Sequence, residues 1–428
     1  MEKNLIKNYL SFFYFGSALL GSLVGAYFKF PPMFILVSII PAVFFKNTRF
    51  SLFLACFIMA NLLVVKDVNI KDTQFVGVVK NVQEDSCVVK LKYYNGSEWK
   101  RLGFDVKIYK RELPGTVVYF IGELRKTSSY PRYYAKTSIY ATATNFDSIT
   151  PKIYNSFEKF RKFTNTVDPF YQNIFGNQSR DEIFIKSGLF HIFCVSGMHV
   201  SILYLFSSYL VSLISYRKMY RIIFSLMFPT IFVIGSGMNL PSIRALIMLY
   251  FSALFQLLDY KINPINTVSI TGLIMVLANP EIVYSLSFYM TFFATIGVLS
   301  ASNNLTANIG GFLGSAPYVS LISPVNPFSI IATPIVSWPV QIVMFGLSVS
   351  YMLYILKLEF LSIFVLNSLL PFSWFIQIVA YIFSKFPTIP QHIIISVAFS
   401  ATFVIYLAIM QEIREIKSAK ATEPKDNI

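Results

Sequence analysis

The stretch Ile393-Ile-Ile-Ser-Val-Ala-Phe-Ser-Ala-Thr-Phe-Val-Ile-Tyr-Leu-Ala-Ile-Met410 contains no charged side chain. A helix needs about 20 mainly apolar residues to cross the ~30 Å hydrocarbon core of a bilayer. This stretch ends a long series of such segments: from His191 to Gln411 there are seven Lys or Arg and three Asp or Glu. Soluble chains carry about 25% charged residues. The sequence therefore predicts a polytopic α-helical membrane protein.

Apolar segments recur along the chain, in which 55% of the 428 residues are hydrophobic and 13% are charged. Three are predicted before residue 66, and those after residue 190 indicate seven to ten further crossings. The two long segments at 328–356 and 358–384 contain proline, so each is one kinked helix or two short helices. The remaining predicted segments are 9–29, 31–45, 50–65, 190–215, 219–235, 241–258, 264–279, 282–301 and 391–411.

Basic residues near the amino terminus predict the orientation of the chain. Lys3 and Lys7 precede the first segment, and Lys46 and Arg49 separate the second from the third. The positive-inside rule places both clusters in the cytoplasm. Three crossings then bring residue 66 to the outer side, so the block that follows is predicted to be extracytoplasmic.

Between residues 67 and 150 the hydrophobic period changes to two. Val89 and Leu91 alternate with lysines, and a second alternating run follows the Asn95-Gly96 turn. Alternation on both sides of Asn-Gly predicts a β-hairpin with one buried face. About five short strands in this block favour an inserted small antiparallel β-barrel, for which an OB-like domain is the simplest expectation.

The polar face of this hairpin combines basic and aromatic residues. Such faces bind single-stranded nucleic acid, because charges meet phosphates and rings stack on bases, although any solvated hairpin can have this composition. Residues 66–190 hold 20 of the 36 basic and 13 of the 21 acidic residues, which suits a polyanion or an anionic membrane surface equally. The candidate DNA-binding residues are Lys90, Lys92, Tyr94, Trp99, Lys100 and Arg101.

Aromatic residues recur among basic ones in the next block, 151–189. Phe157, Phe160 and Phe163 are at helical spacing beside Lys159. This pattern predicts an amphipathic helix on the membrane surface, although packing on the barrel would use the same face.

Two histidines stand where the second group of apolar segments begins, in Gly188-Leu-Phe-His191-Ile-Phe-Cys-Val-Ser196-Gly197-Met-His199. On one helix His191 and His199 would be about 80° apart and would share a face. Ser196-Gly197 permits close helix contact or a local break. Polar groups at membrane depth usually face the bundle interior or a water-filled path. The alternative is a pair of interfacial histidines that are hydrogen-bonded to neighbouring helices.

The sequence Gly235-Ser-Gly-Met-Asn239-Leu-Pro241-Ser-Ile-Arg244 predicts a helix that stops and restarts within or near the bilayer. Arg244 is one turn into the restarted half, where a buried guanidinium costs about 2.5 kcal/mol or more unless it is paired or hydrated. Asp259 and Glu281 lie near segment ends and are poor candidates for its partner. An arginine beside a helix start predicts an anion site, for which a passing phosphate is a good candidate. Snorkelling of Arg244 to the interface is the alternative.

These motifs resemble those of the ComEC competence proteins. Gly188–His191 and Ser196–His199 are similar to the family's Gly-Leu-x-His and Ser-Gly-x-His elements, and Pro241–Met248 is similar to its Arg-Ala-x-x-Met segment. A third stretch, Asn279–Gly297, resembles the family less closely. In that stretch Ser287-Phe-Tyr-Met-Thr291 replaces the usual Gly-Phe-Gln-Leu-Ser.

The resemblance implies a multi-pass channel in the bacterial inner (cytoplasmic) membrane that passes single-stranded DNA into the cytoplasm during natural transformation. Expected partners are single-stranded DNA, membrane lipid, a periplasmic DNA-receptor protein, a separate nuclease and a cytoplasmic DNA translocase. Whether one chain or a homodimer encloses the path stays open. The residues expected along the path are His191, Ser196, Gly197, His199, Asn239, Pro241 and Arg244.

The predicted domains are amino-terminal transmembrane helices (1–66), an extracytoplasmic OB-like β domain (67–150), amphipathic membrane-surface helices (151–189), the channel core (190–411) and a polar cytoplasmic tail (412–428). Many ComEC relatives also end in a metallo-β-lactamase-like domain proposed to degrade the non-transported strand. This sequence has three histidines and no His-x-His-x-Asp-His pattern. We therefore expect no catalytic residue, no metal site and no cofactor.

Two other functions fit parts of the sequence. A secondary transporter of an anionic small molecule would also use broken helices and an intramembrane charge, but it would need no basic external domain and the sequence contains no evident inverted repeat. An intramembrane hydrolase could use Ser196 and His199, yet no acid is present to orient the imidazole.

Overall fold

The computed structural model describes residues 10–43, 48–64, 73–82, 85–95, 99–101, 103–127, 130–143, 149–176, 181–192, 197–260 and 263–422. Within them, helices occupy both ends of the chain and β-strands lie between residues 73 and 143. The chain divides into two compact units. The first comprises residues 1–179, 191–286 and 341–373, and the second comprises 180–190, 287–340 and 374–428.

Two short apolar helices, α1 (Leu10–Gly25) and α3 (Thr48–Leu63), form where the first and third apolar segments are predicted. The middle segment was predicted as a crossing of its own. It forms a 3-10 helix at Pro32–Ile39 and then the four-residue α2 (Ile40–Val43), and not one regular α-helix. Prolines in this segment remove backbone donors and prevent one regular helix.

Helices α1 and α3 run parallel and pack closely. The Ser17 hydroxyl donates a hydrogen bond to the Phe53 carbonyl at 2.5 Å, and one turn later Gly21 faces Phe57. A Cβ atom on Gly21 would lie 2.1 Å from the Phe57 carbonyl oxygen, so the glycine is what permits this approach. Because the two contacts advance together along both helices, the chain between them must return from one end of the pair to the other.

The strands close into a five-stranded barrel in the order β1-β2-β4-β6-β5, with β5 pairing back to β1 and β3 added on β2. The barrel was predicted to be antiparallel, but β4 and β6 run parallel. Aromatic and β-branched side chains fill its interior, among them Phe75, Phe104 and Phe120. The strands are β1 (Thr73–Val82), β2 (Cys87–Asn95), β3 (Trp99–Arg101), β4 (Asp105–Ile108), β5 (Val117–Lys126) and β6 (Tyr133–Ala143).

Helix α4 (Ile149–Thr164) follows the barrel and was predicted to lie on the membrane surface. Its aromatic face is instead covered by protein. The ring of Phe157 lies 4.5 Å from that of Tyr351, and the ring of Phe160 lies 5.1 Å from that of Phe175. Both α4 rings are fully buried, because other aromatic side chains of the same unit supply the apolar surface that lipid was expected to supply.

The helices that follow are mostly apolar. Among the described residues, five stretches are long and apolar enough to cross a membrane, namely the one that contains Gly197–Ile214, and Lys218–Gly235, Leu240–Leu257, Ser329–Ile355 and Ile393–Ile416. The bent helix pair Glu359–Ser368 and Leu370–Ser384 would add a sixth candidate span. These helices are α5 (Pro169–Ile174), α6 (Glu182–Lys186), α7 (Gly197–Ile214), α8 (Lys218–Ser225), α9 (Met227–Gly235), α10 (Leu240–Leu257), α11 (Pro264–Ala278), α12 (Leu286–Ser300), α13 (Asn304–Val319), α14 (Ser329–Ile355), α15 (Glu359–Ser368), α16 (Leu370–Ser384) and α17 (Ile393–Thr422).

The two proline-containing segments resolve differently. Helix α14 is continuous through Pro334 and Pro339, whereas α15 and α16 meet at a 41° bend. In the second unit, α13 is a helix that the apolar pattern did not predict. It packs against α12 through glycines, since a Cβ on Gly297 would lie 2.1 Å from the Gly310 carbonyl oxygen.

Candidate functional site

The turn between α9 and α10 is the predicted helix break, and it joins two antiparallel helices. Thr230 and Tyr250 meet across the pair through their hydroxyls at 2.8 Å. The turn uses two residues in the left-handed region, Gly237 at φ 91° and Met238 at φ 57°. The break is therefore a turn at the end of two candidate spans, and not an interruption within one span.

Polar side chains order the start of α10. Asn239 occupies the N-cap position, and its amide donates to the Ser236 carbonyl at 3.2 Å. The Ser242 hydroxyl donates to the Asn239 carbonyl at 2.8 Å, and Pro241 stands in the first turn, where no backbone donor is needed. These contacts fix the first turn of α10, and Arg244 follows directly after that turn.

Arg244 is buried near this helix start, with 6% of the residue exposed. Its Nε and Nη1 atoms are also buried and have no hydrogen-bond partner among the described residues. Asp259 instead pairs with Lys218, and Glu281 contacts the barrel. A buried guanidinium without a carboxylate is costly, so the position is suited to receive an anion.

Helix α7 begins beside the same helix start. A Cβ on Gly197 would lie 3.9 Å from that of Ala245, so the first turn of α7 packs near the first turns of α10. His199, in that first turn, is fully buried. The first described turn of α7, with its buried imidazole, therefore lies close to the start of α10, whose positive dipole end is near the buried guanidinium.

The other predicted residues of the first motif are placed differently. His191 lies in a 3-10 turn at Phe190–Ile192 and is exposed, whereas His199 is buried. The two imidazoles thus differ in exposure, and their shared helix face stays a prediction, because residues 193–196 lie outside the described residues. Ser196, which lies between them, is outside the described residues.

The barrel contacts the α9–α10 turn directly. The backbone N–H of Val82, the last residue of β1, donates to the Gly237 carbonyl at 3.3 Å. Thus β1 ends at the turn from which the Arg244 helix begins.

A chain of charged side chains makes a second connection between the barrel and this turn. Arg161 of α4 donates to the Gly235 carbonyl at 3.2 Å and to the Glu158 carboxylate at 3.0 Å. Arg111, in the loop between β4 and β5, donates to the same carboxylate at 2.9 Å. Arg161 therefore binds the end of α9, and its partner Glu158 also binds Arg111 of the barrel.

A buried polar cluster joins the barrel to the end of α11. Lys80 and Asn279 donate to the Asp105 carboxylate at 2.9 and 2.7 Å, and the Tyr130 hydroxyl donates to it as well. The backbone N–H of Asp105 in turn donates to the Glu281 carboxylate at 3.3 Å. Glu281 is 3% exposed, and its Oε1 has no partner among the described residues.

The sequence pattern did not predict this junction. Asp105 was not singled out, and Glu281 was interpreted only as a residue near a segment end. The sequence does hold one local signal for the junction: Asn279 and Glu281 flank Pro280 directly after an apolar segment. Polar side chains that become buried at such a position need hydrogen-bond partners.

The predicted DNA-binding residues of the barrel are only partly described. Lys90 and Lys92 of β2 are exposed. The backbone of Lys100 pairs with that of Tyr94, while Trp99 and Arg101 pair with Asn95 and Tyr93. The side chains of Tyr94, Trp99, Lys100 and Arg101 lie outside what the structure describes.

The described residues contain no cluster of three or more His, Cys, Asp or Glu side chains that could hold a metal ion. The candidate site therefore consists of the buried end of a helix bundle, positively charged at Arg244, together with a barrel that contacts it.

Comparisons with known proteins cover the helical region. A family model described as Competence protein matches residues 176–415. An uncharacterised protein of Aquifex aeolicus is 30% identical over 179 residues, which is 38% of this chain and 42% of that protein. The chain thus spans less than half the length of this curated relative. No solved structure matches.

Proposed function

Because the chain belongs to the competence-protein family, we propose that it forms the channel through which single-stranded DNA crosses the bacterial cytoplasmic membrane during natural transformation. The family indicates a role in DNA uptake during competence. The observation that carries the channel assignment is the buried Arg244 guanidinium, whose Nε and Nη1 have no partner among the described residues. Each backbone phosphate of a passing strand would supply the missing acceptor and negative charge.

The chemistry of the site suits transient binding of a phosphate. The guanidinium donates several hydrogen bonds in one plane, which matches phosphate oxygens. The start of α10 adds partial positive charge near the guanidinium. Because no carboxylate among the described residues pairs with Arg244, a phosphate can bind and be replaced by the next one along the strand.

The barrel is proposed to be an extracytoplasmic OB-like domain that receives the strand. Its closed order and its parallel β4–β6 pair support an OB-like topology. The parallel packing of α1 and α3 supports three traverses before residue 64, which would carry the chain from an inside amino terminus to the outer side. Exposed Lys90 and Lys92 would then meet the strand before it reaches the helices.

The chain is proposed to act without catalysis of its own. The strand would be supplied by a periplasmic DNA-receptor protein and a separate nuclease, and drawn inward by a cytoplasmic translocase. A homodimer around the path is compatible with this arrangement.

The transport of a small anion remains the second candidate, because the Nε and Nη1 donors of Arg244, which have no partner among the described residues, would bind a single carboxylate or phosphate. The presence of the barrel favours single-stranded DNA over a small anion as the ligand. It contacts the turn that begins the Arg244 helix through Val82 and Gly237, so a long ligand could touch both parts at once.

A deletion strain tests the proposed function. DNA captured outside the cytoplasmic membrane and DNA that reaches the cytoplasm are measured separately with labelled donor DNA. We expect capture to persist and arrival to be lost, and the full chain supplied from a plasmid to restore arrival. Normal arrival in the deletion strain would refute the proposal.

A further inference from the structure

The outer wall of the barrel carries aromatic and basic side chains that the sequence analysis did not single out. Lys107 of β4 is the register partner of Tyr134 of β6, and Tyr134 is also the register partner of Arg125 of β5. Side chains at paired positions point to the same face of a sheet. Tyr109, two residues after Lys107, extends this row at the end of β4.

The two rings form an accessible right-angled pair. Tyr109 is 66% exposed, and its ring centroid lies 6.1 Å from that of Tyr134 at an interplanar angle of 74°. The ammonium of Lys107 lies 5.0 Å from the Tyr109 centroid. This position holds the charge over one face of the exposed Tyr109 ring, as a ligand with both a flat apolar part and an anionic part would require.

The charge on this face is mainly positive. Lys107 is the register partner of Val88, two residues before the exposed Lys90, so the row is continuous with the predicted basic strand β2. Lys136 on β6 is exposed as well. Glu123 offsets part of this charge, because its carboxylate pairs with Arg125 at 3.3 Å.

We propose that Tyr109 and Tyr134 form a base-stacking platform for single-stranded nucleic acid, with Lys107 and Arg125 as its phosphate contacts. This inference rests on the proposed function and deepens it. It assigns strand contacts to the β4–β6–β5 wall of the barrel, beyond the β2–β3 hairpin. An anionic lipid surface would satisfy the two cations but would offer no planar group for the rings.

The test uses the purified full-length chain in detergent and a fluorescent oligo(dT), with affinity measured by anisotropy at several salt concentrations. Tyr109→Ala should weaken binding about tenfold, since stacking on one aromatic side chain is worth roughly 1–3 kcal/mol. Tyr109→Phe should bind like the wild type. Tyr216→Ala is the matched control, because Tyr216 is 93% exposed but lies outside the barrel.

The cations are tested through the salt dependence. Lys107→Gln should reduce the slope of log K against log salt by about 0.7, which is the value for one phosphate contact on a single strand. Duplex DNA should bind Tyr109→Ala and wild-type protein equally, because its bases are already stacked on each other.

Three results would overturn the inference. Tyr109→Ala and Lys107→Gln could both behave like the wild type, while Lys90→Gln/Lys92→Gln still weakens binding; the barrel would then bind DNA elsewhere and the proposed function would stand. Equal losses for single-stranded and duplex DNA would exclude stacking. If the wild-type chain fails to bind oligo(dT) even at low salt, the role of the barrel in the proposed function fails together with this inference.

Discussion

Glu281 accepts a hydrogen bond from the backbone N–H of Asp105 at 3.3 Å, so two carboxyl-bearing residues meet where the barrel joins the end of α11. Glu281 lies outside the candidate spans, in the 3-10 helix Pro280–Tyr284. Burial raises the pKa of Glu281 from 4.5 to about 7, and the charge of Asp105 adds to this effect. The Asp105 N–H and the cations of Arg132 and Lys80 oppose the shift. The junction therefore favours a protonated Glu281.

This pKa shift predicts a pH-dependent junction. The unfolded chain releases the Glu281 proton near pH 4.5, whereas the folded chain keeps it up to about pH 7. The contribution of Glu281 to stability is thus greatest below 4.5 and is lost as the pH rises through 7, a change of up to roughly 3 kcal/mol. Thermal unfolding of the purified protein between pH 5 and 8 should show this fall, and Glu281→Gln should reduce it. An unchanged pH dependence in Glu281→Gln, compared with the exposed control Glu182→Gln, would contradict the assignment.

The Arg161 contacts predict a large difference between two arginines that share one carboxylate. Arg161→Gln should destabilise the protein by about 3 kcal/mol, because it leaves Glu158 and the Gly235 carbonyl without their buried donor. Arg111→Gln should cost less than about 1 kcal/mol, since the Arg111 side chain is 40% exposed. Thermal unfolding of both variants measures this difference. Equal effects would mean that the end of α9 does not depend on Arg161.

The packing of α1 against α3 predicts a selective glycine effect. Gly21→Ala should lower stability by about 1–3 kcal/mol, because the new Cβ would meet the Phe57 carbonyl oxygen. Gly16→Ala, on the same helix, has no atom within 4 Å of the new Cβ and should be neutral or slightly stabilising. A comparison of the two melting temperatures decides the matter. If Gly16→Ala is the more harmful variant, Gly21 does not make the close contact with Phe57.

The parallel pair also supports the outward placement of the barrel, which thiol labelling can test. In a variant without native cysteines, Lys90→Cys should react with a membrane-impermeant maleimide added to intact spheroplasts. Glu412→Cys, at the start of the polar tail, should react only after the membrane is opened. Protection of the Lys90 position in spheroplasts would place the barrel in the cytoplasm and would remove its receiving role.

Local patterns predicted much of this fold. Apolar runs gave most long helices, period-two alternation gave the barrel strands, and Gly237 with Pro241 gave the turn before Arg244. Helix α13 was missed because its contacts use Gly310 and Gly314, whose role is close approach and not hydrophobicity. The Asp105–Glu281 contact joins residues 176 positions apart, and no local period encodes such a pairing.

The candidate site was predicted in part. The apolar sequence around Arg244 showed that burying its guanidinium would be costly. In the structure Arg244 is buried without a carboxylate partner among the described residues. The exposure of His191 and the burial of His199 were not visible, because helical spacing says nothing about which neighbouring helix covers a face. The sequence also did not predict the contact of Val82 with Gly237, which brings the barrel to the turn before Arg244.

The most direct measurement compares Arg244→Ala with Arg217→Ala in the deletion strain, with DNA capture and cytoplasmic arrival scored separately. Arg217 is an exposed arginine of the same helical region. We expect Arg244→Ala to keep capture and to lower arrival about 100-fold, equivalent to roughly 2.7 kcal/mol, while Arg217→Ala stays normal. Wild-type arrival in an Arg244→Ala strain that expresses the protein at normal levels would contradict a phosphate-binding role for Arg244 in DNA passage.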